Sequence, residues 1–385
     1  MIRVLIADDS AVVRAMVRQV MENDVRFEIA GEASNGEDAV RCNEKLSPDL
    51  IIMDINMPIM DGIEATKRIL KTSSPAVVIF TTADSAAMGY RCIQAGALEV
   101  ISKPDLSVIT PGMMKLFCDR LAALGESHYA SAAGRVPAAA FVPEGAKAGS
   151  RKSFSGCKCS EAESDEDAAA SLPEDRPYLN PALPQTPGDY RILLAGASTG
   201  GPAALRQLLS GLGPSFPLPV LITQHIDSSF DTHFAGWLNE STGMHVEIAK
   251  EGTVPLRGRA YLAPADRHLI VRPFPENTAG CVIALSDEPP LHFLKPAVDR
   301  LFFSAADVFH SRILAVLLTG MGRDGADGCK RIVEAGGYTV AESARTCTVF
   351  GMPRAAIKCG AASAIVPLGL MPDFLRSRLG VKKYG

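Results

Sequence analysis

The sequence predicts two α/β domains, each built on a doubly wound parallel sheet, joined by a flexible linker. Three observations lead there. From Met1 to about Leu124, short apolar runs of strand length alternate with amphipathic, helix-like stretches. The same alternation resumes at Asp189 and continues through 385. Between them, in 125–188, 34 of the 64 residues are Ala, Ser, Pro or Gly. Strands alternating with helices require parallel pairing with helices on both faces. A stretch of small and helix-breaking residues buries too little apolar surface to offset the entropy of ordering it.

In the first domain, 1–124, the expected strands are Ile2–Ala7, Leu50–Met53, 77–82 and 98–101, with helices over 11–21 and 86–95. The linker, 125–188, carries an acidic run at 161–167 and the pair Cys157 and Cys159. That spacing lacks a second ligand pair, so two exposed thiols fit better than a metal site. In the second domain, 189–385, the runs 191–195, 219–223 and 313–319 are nearly all apolar, as strands buried on both faces must be. Each is followed by a polar or glycine-rich turn and a helix-like pattern, over 203–209 after the first and 325–335 after the last.

Composition removes several function classes. With 39 Lys and Arg against 43 Asp and Glu, the net charge is −4. That balance argues against a nucleic-acid partner and against a polybasic membrane surface. No apolar run approaches the 18 residues of a spanning helix, so no direct membrane insertion is expected. The opening stretch Val4–Ala7 is too short for a signal peptide, and nine Cys without regular spacing suit a reducing cytoplasm.

Two constellations carry chemistry. Asp8 and Asp9 follow the first strand and Asp54 ends the second; Thr81 and Lys103 close the third and fourth. In an open parallel sheet the carboxyl ends of the strands border the functional crevice. Carboxylates brought together there need compensation, which a hard divalent cation such as Mg²⁺ or the Lys103 ammonium supplies. A single acidic residue at a strand end is commonplace; the whole set is not. Residues 1–124 resemble the receiver domain of two-component response regulators, on Ala7-Asp-Asp-Ser10, Asp54 within 53–58, 60–62, Thr81 and Lys103-Pro104. The resemblance implies a flavodoxin-like sheet and a phosphoryl group accepted by Asp54 from a chemotaxis histidine kinase. It implies Mg²⁺ held by Asp8, Asp9, Asp54 and the Asn56 backbone carbonyl, with Thr81 and Lys103 reading the phosphoryl group.

The second constellation lies on three strand ends of the other domain. Ser198 sits in Gly196-Ala-Ser-Thr-Gly200 at a strand-to-helix turn, which by itself could equally be a phosphate-binding or merely tight turn. Only His225 among seven histidines directly follows a buried-type strand, with Gln224 between. Asp324 follows the last run, where it could also be the N-cap of the helix over 325–335. One geometry, a Ser-His-Asp triad, accounts for all three. The chain order Ser…His…Asp disfavours an α/β-hydrolase.

Residues 189–385 resemble the catalytic domain of chemotaxis protein-glutamate methylesterases, on 196–202, Gln224-His225, 261–264, 266–268, 295–299, 318–322, Asp324-Gly325 and 349–354. The resemblance implies a Rossmann-like domain that hydrolyses glutamate methyl esters, and deamidates glutamines, on the cytoplasmic helices of methyl-accepting chemoreceptors. It needs no cofactor for hydrolysis. Ser198 is expected as nucleophile, His225 as base and Asp324 as its orienting partner. Thr199, Met321 and Gly322 are expected to position the substrate or its oxyanion. The receiver is expected to cover this crevice until Asp54 is phosphorylated. Departures from the family pattern are Asp227 beside the histidine, Thr81-Thr-Ala-Asp84 in the receiver, and the long acidic linker. Two alternatives stand beside this reading: a phospho-regulated scaffold without catalysis, and a hydrolase of the same mechanism acting on another ester or amide.

Overall fold

The computed structural model describes residues 1–82, 86–103, 110–132, 176–183, 185, 188–226, 230–274 and 280–379. The N-terminal domain is a five-stranded parallel sheet in the order β2-β1-β3-β4-β5. Its strands are β1 (Ile2–Ala7), β2 (Phe27–Ala33), β3 (Leu50–Met53), β4 (Ala76–Thr81) and β5 (Glu99–Ser102). Helices α1 (Ala11–Glu22), α2 (Gly36–Leu46), α3 (Gly62–Thr72), α4 (Ala86–Gln94) and α5 (Pro111–Ala132) connect and cover them. β3 and β4 are buried at every position, which is why both read as unbroken apolar runs. Three helix starts are fixed by their caps: the side chains of Ser10, Asn35 and Asp61 accept N–H bonds from Val13, Asp38 and Glu64.

The C-terminal domain is an eight-stranded sheet in the order β6-β15-β14-β13-β7-β8-β10-β9. The functional strands lie at its centre: β7 (Ile192–Ala197), β8 (Val220–Gln224) and β13 (Ile313–Leu317). Beside them run β10 (Arg259–Leu262) and β9 (His245–Ile248) on one side, and β14 (Tyr338–Glu342) and β15 (Ala364–Val366) on the other. All pair in parallel except β6 (Tyr178–Leu179), an antiparallel edge strand on β15. Helices α6 (Gly201–Leu212), α7 (Asp231–Thr242), α8 (Val298–Phe309), α9 (Ala326–Glu334), α10 (Met352–Lys358) and α11 (Met371–Arg378) complete the layers, and β11 (His268–Pro273) and β12 (Cys281–Ser286) form a separate antiparallel pair.

The expected strands and helices that carry the site match the observed elements to within two residues, apart from the start of α6 and its end. Two expected boundaries fall inside ordered structure. α5 continues past Leu124 to Ala132, and 176–188 belongs in part to the second domain. There Asn180 N–H donates to the Ser363 carbonyl (2.9 Å). The Gln185 amide donates to the carbonyls of Asn180 (2.8 Å) and Ser363 (3.1 Å), and its oxygen accepts from the Tyr338 hydroxyl (2.7 Å). Composition hid this because a two-residue strand and one glutamine anchor leave no periodic signal. Most of the expected linker, with Cys157 and Cys159, lies outside the described residues.

Gln185→Ala removes four hydrogen bonds, to the carbonyls of Asn180, Leu183 and Ser363 and from the Tyr338 hydroxyl. It should lower the unfolding free energy of the C-terminal domain by about 1–3 kcal/mol, read as the shift in its urea midpoint. An unshifted midpoint would show that the segment merely rests on the sheet.

Candidate active site

Strand register brings the three residues together. β7 and β8 pair Gly196 with Thr223 and Ala197 with Gln224, so the next residues, Ser198 and His225, leave the sheet side by side. His225 N–H continues the ladder to the Ala197 carbonyl (3.1 Å). On the other flank, β13 pairs Leu317 with Gly196, and Ser198 N–H donates to the Thr319 carbonyl (3.0 Å). The Gln224 amide then ties the two turns together, donating to the Ser198 carbonyl (2.9 Å) and the His225 carbonyl (3.0 Å). Close approach requires glycine: a Cβ on Gly320 would lie 2.8 Å from Ser198 Cβ, and Gly200 takes φ +77° as the chain enters α6.

His225 Nε2 lies 2.8 Å from Asp324 Oδ2. The same Asp324 oxygen accepts Val298 N–H (2.6 Å), and Oδ1 accepts Asp299 N–H (3.0 Å). These are the first N–H groups of α8, so Asp324 caps that helix from another element. It does not cap α9, whose start at Gly325 has no side-chain cap. Burial pushes the Asp324 carboxyl up, but the hydrogen bond and charge of His225 and the two backbone N–H groups outweigh it and hold it below the usual carboxylate range. Asp299 behaves oppositely. Burial, then the neighbouring Asp324 charge, pushes its carboxyl up to about 7.

Ser198 is nearly buried, and among the described residues its hydroxyl makes no hydrogen bond to His225. Such bonds are often unmade before substrate binds. Thr199 is buried behind it; its carbonyl accepts the Thr319 hydroxyl (2.9 Å), and no side-chain cap joins it to α6. Met321 and Gly322 lie on the loop between Thr319 and Asp324, Gly322 at φ +87°. Asp227 and Asp84 lie outside the described residues.

In the other domain, Asp8, Asp9 and Asp54 each place a carboxylate oxygen within 4.8 Å of the others. Lys103 Nζ bridges Asp8 (2.8 Å) and Asp54 (2.9 Å). Burial raises the Asp54 carboxyl despite the Lys103 bonds. Thr81 is fully buried, and its hydroxyl has no hydrogen-bond partner among the described residues. Asn56 is exposed two residues beyond Asp54. An all-oxygen donor set with one backbone carbonyl nearby fits a hard divalent cation such as Mg²⁺.

The two domains pack against each other at the Ser198 and His225 turns. Tyr90 of α4 stacks on Phe234 (5.2 Å) and Trp237 (5.3 Å) of α7. Glu99 of β5, 1% exposed, accepts Gly200 N–H at 3.0 Å on the loop that carries Ser198, and pairs with Arg120 at 2.9 Å. Val349 joins the apolar cluster beneath α5, and Met321 packs against that cluster. His225 and Pro202 line a cavity of about 220 Å³ whose opposite wall is Phe80, Val100 and Phe117. Sequence reasoning missed Glu99, Gln224's clamp and Thr319. Only Glu99 left a trace, as a carboxylate in a strand that is otherwise apolar.

A proton held by Asp299 in the folded chain at a pH where the unfolded chain has released it makes stability fall as pH rises from about 4 to about 7. Asp299→Asn keeps the oxygen that accepts Gly328 N–H (2.6 Å) and cannot ionise. Between pH 5 and pH 8 it should therefore lose less unfolding free energy than the parent chain in urea titrations. Equal losses would show that Asp299 is ionised throughout.

Both domains have known relatives. The sequence family described as CheB methylesterase matches residues 193–375, and that of the response regulator receiver domain matches 4–110. The chain is 34% identical to the protein-glutamate methylesterase/protein-glutamine glutaminase 2 of Anaeromyxobacter dehalogenans, over 97% of this chain and 96% of that one. It is 35% identical to the corresponding protein 4 of Geobacter metallireducens, over 95% and 96%. Among solved structures, the Thermotoga maritima CheB methylesterase catalytic domain is 33% identical and covers 49% of this chain and 98% of its own, with a TM-score of 0.47. A receiver fused to a CheB methylesterase domain, matched over nearly the full length of both relatives, places the chain in the protein-glutamate methylesterase/protein-glutamine glutaminase family.

Proposed function

We propose that the chain is a phosphorylation-activated serine hydrolase that removes methyl groups from glutamate esters, and amide nitrogen from glutamines, on the cytoplasmic helices of methyl-accepting chemoreceptors. One observation carries the reading: register on β7 and β8 sets Ser198 and His225 side by side at one sheet edge, and Asp324, on the loop after β13, is already bound to the imidazole. The chain acts in the cytoplasm; among the described residues no helix is long and apolar enough to cross a membrane.

Asp324 occupies His225 Nε2, which leaves Nδ1 as the base. Ser198 Oγ attacks the ester carbonyl carbon while its proton passes to Nδ1. The carbonyl oxygen becomes an oxyanion, for which N–H groups of Met321, Gly322 and the turn at Thr199 are the nearby donors, each such donor being worth roughly 10²–10³ in rate. Collapse breaks the bond to the methoxy oxygen, which takes the proton from Nδ1 and leaves as methanol. Water then attacks the acyl-enzyme, its proton passes to Nδ1 and on to Ser198 Oγ, and glutamate is released. With glutamine the leaving group is ammonia. Asp324, held ionised, fixes the imidazole tautomer and stabilises its charged form.

In the receiver, Asp54 accepts the phosphoryl group from a chemotaxis histidine kinase. Asp8, Asp9, Asp54 and the Asn56 carbonyl would hold Mg²⁺, which neutralises phosphoryl charge when bound. Thr81 offers an unpartnered hydroxyl and Lys103 an ammonium to the new oxygens. Thr81 pairs in register with Ser102 of β5, the strand that carries Glu99. A 99:1 closed bias requires only about 2.7 kcal/mol, within reach of the aromatic stack and the Glu99 bond.

Methanol release from methylated receptor membranes should vanish with Ser198→Ala and fall by about 10³–10⁴ with Asp324→Asn. Release that survives Ser198→Ala would end the triad reading. A small phosphoryl donor with Mg²⁺ should raise release, and Asp54→Ala should remove that rise. Glu99→Ala, which frees the Gly200 N–H, should raise release several-fold without any donor; an unchanged rate would mean that the Glu99 bond does not hold the domains closed.

A further inference from the structure

Glu342, the last residue of β14, is 0% exposed and takes no part in the chemistry above. One carboxyl oxygen, Oε2, accepts Thr319 N–H at 2.8 Å. The other, Oε1, has no hydrogen-bond partner among the described residues. Leaving a buried carboxyl half-satisfied is expensive, so its position needs a reason.

Thr319 supplies it. This residue is the branch point from which both catalytic loops hang. Its carbonyl accepts Ser198 N–H (3.0 Å). Its hydroxyl donates to the Thr199 carbonyl (2.9 Å) and accepts Val349 N–H (2.8 Å). The Val349 carbonyl in turn accepts Gly320 N–H (3.0 Å), and the Gly320 carbonyl accepts Met352 N–H (2.8 Å). From Gly320 the chain runs through Met321 and Gly322 to Asp324. Among the described residues, the side chain that holds the Thr319 backbone N–H, at the root of this tree, is Glu342.

We propose that Glu342 is a positioning residue, anchoring Thr319 and through it the loops that carry Ser198 and Asp324. The proposal rests on the hydrolase reading given above. Burial pushes the Glu342 carboxyl up to about 7. The groups facing it are the Thr319 N–H, the Thr346 hydroxyl and the Cys347 thiol, which is itself pushed well above its usual range by burial; no cation contributes. Ionisation above pH 7 therefore places an uncompensated charge behind Ser198 and strains the anchor.

The test compares the full-length chain with Glu342→Gln and Glu342→Ala, with phosphoryl donor and Mg²⁺ present. Glutamine keeps the acceptor and cannot ionise. Expected results are a kcat for methanol release at least tenfold lower in Glu342→Ala with KM within about threefold, near-parental kcat in Glu342→Gln at pH 7, and a ratio of Glu342→Gln to parental kcat that climbs above pH 7. Amide hydrogen exchange over 198–200 and 319–322 is followed in parallel and should quicken in Glu342→Ala only. Parental kcat in Glu342→Ala, or a Glu342→Gln as impaired as Glu342→Ala, overturns the proposal. If even the parental chain releases no methanol, the substrate reading has failed, and hydrogen exchange decides alone: unchanged protection in Glu342→Ala overturns the anchoring role, and quickened exchange confined to the two loops upholds it.

Discussion

Three donors converge on Asp324, and the catalytic edge depends on them. Val298 and Asp299 N–H begin α8, so the carboxylate ends one helix's unsatisfied backbone while the positive end of that helix stabilises its charge. His225 is the third donor. A carboxylate fixed in this way is rigid before substrate arrives, and it dictates which imidazole nitrogen remains free. It also dictates the state of Asp299, whose own ionisation would set a second negative charge against it. One buried charge is retained and its neighbour is neutralised.

The receiver acts on the same edge through backbone. Glu99 accepts the N–H of Gly200, two residues beyond Ser198 and at the entrance to α6. A helix entrance attracts anions, so the receiver's carboxylate sits where a developing oxyanion or a substrate carboxyl would also be drawn. β4 and β5 link the Asp54 cluster to this contact: Lys103 Nζ reaches Asp54 (2.9 Å), its N–H donates to the Thr81 carbonyl (2.8 Å) just past the end of β5, and Glu99 begins β5.

Much of this was legible in the sequence where burial is complete on both faces. β3, β7, β8 and β13 read as unbroken apolar runs, and the polar residue that ends such a run marks the crevice. β2 escaped because it is an edge strand, only partly buried, with Glu28 and Glu32 breaking its apolar pattern. β14 is buried at all five positions, yet Thr339 and Glu342 interrupt its run. Asp324 stood out in the sequence, but the helix it caps did not: a cap supplied across 25 or more residues leaves no local spacing to detect. The partners of Glu99 and Thr319 are hidden for the same reason, since they lie 101 and 120 residues away.

Four buried carboxyl groups surround the reacting atoms, and their compensation differs in a way that concentrates charge. Glu99 meets a cation and a backbone N–H, and burial still raises it. Asp299 has only the His292 imidazole within 4 Å, at 3.8 Å, and Glu342 has no ion pair among the described residues; burial pushes both toward neutrality. Asp324 alone, with three donors, is held below its usual range. An ionised carboxylate hydrogen-bonded to His225 stabilises the charged imidazole of the transition state. A site with none would leave the charged imidazole of the transition state unstabilised. Asp299 and Glu342, pushed toward the neutral form, supply acceptors for the Gly328 and Thr319 N–H groups, while Asp324, held below its usual range, is the carboxylate in contact with His225.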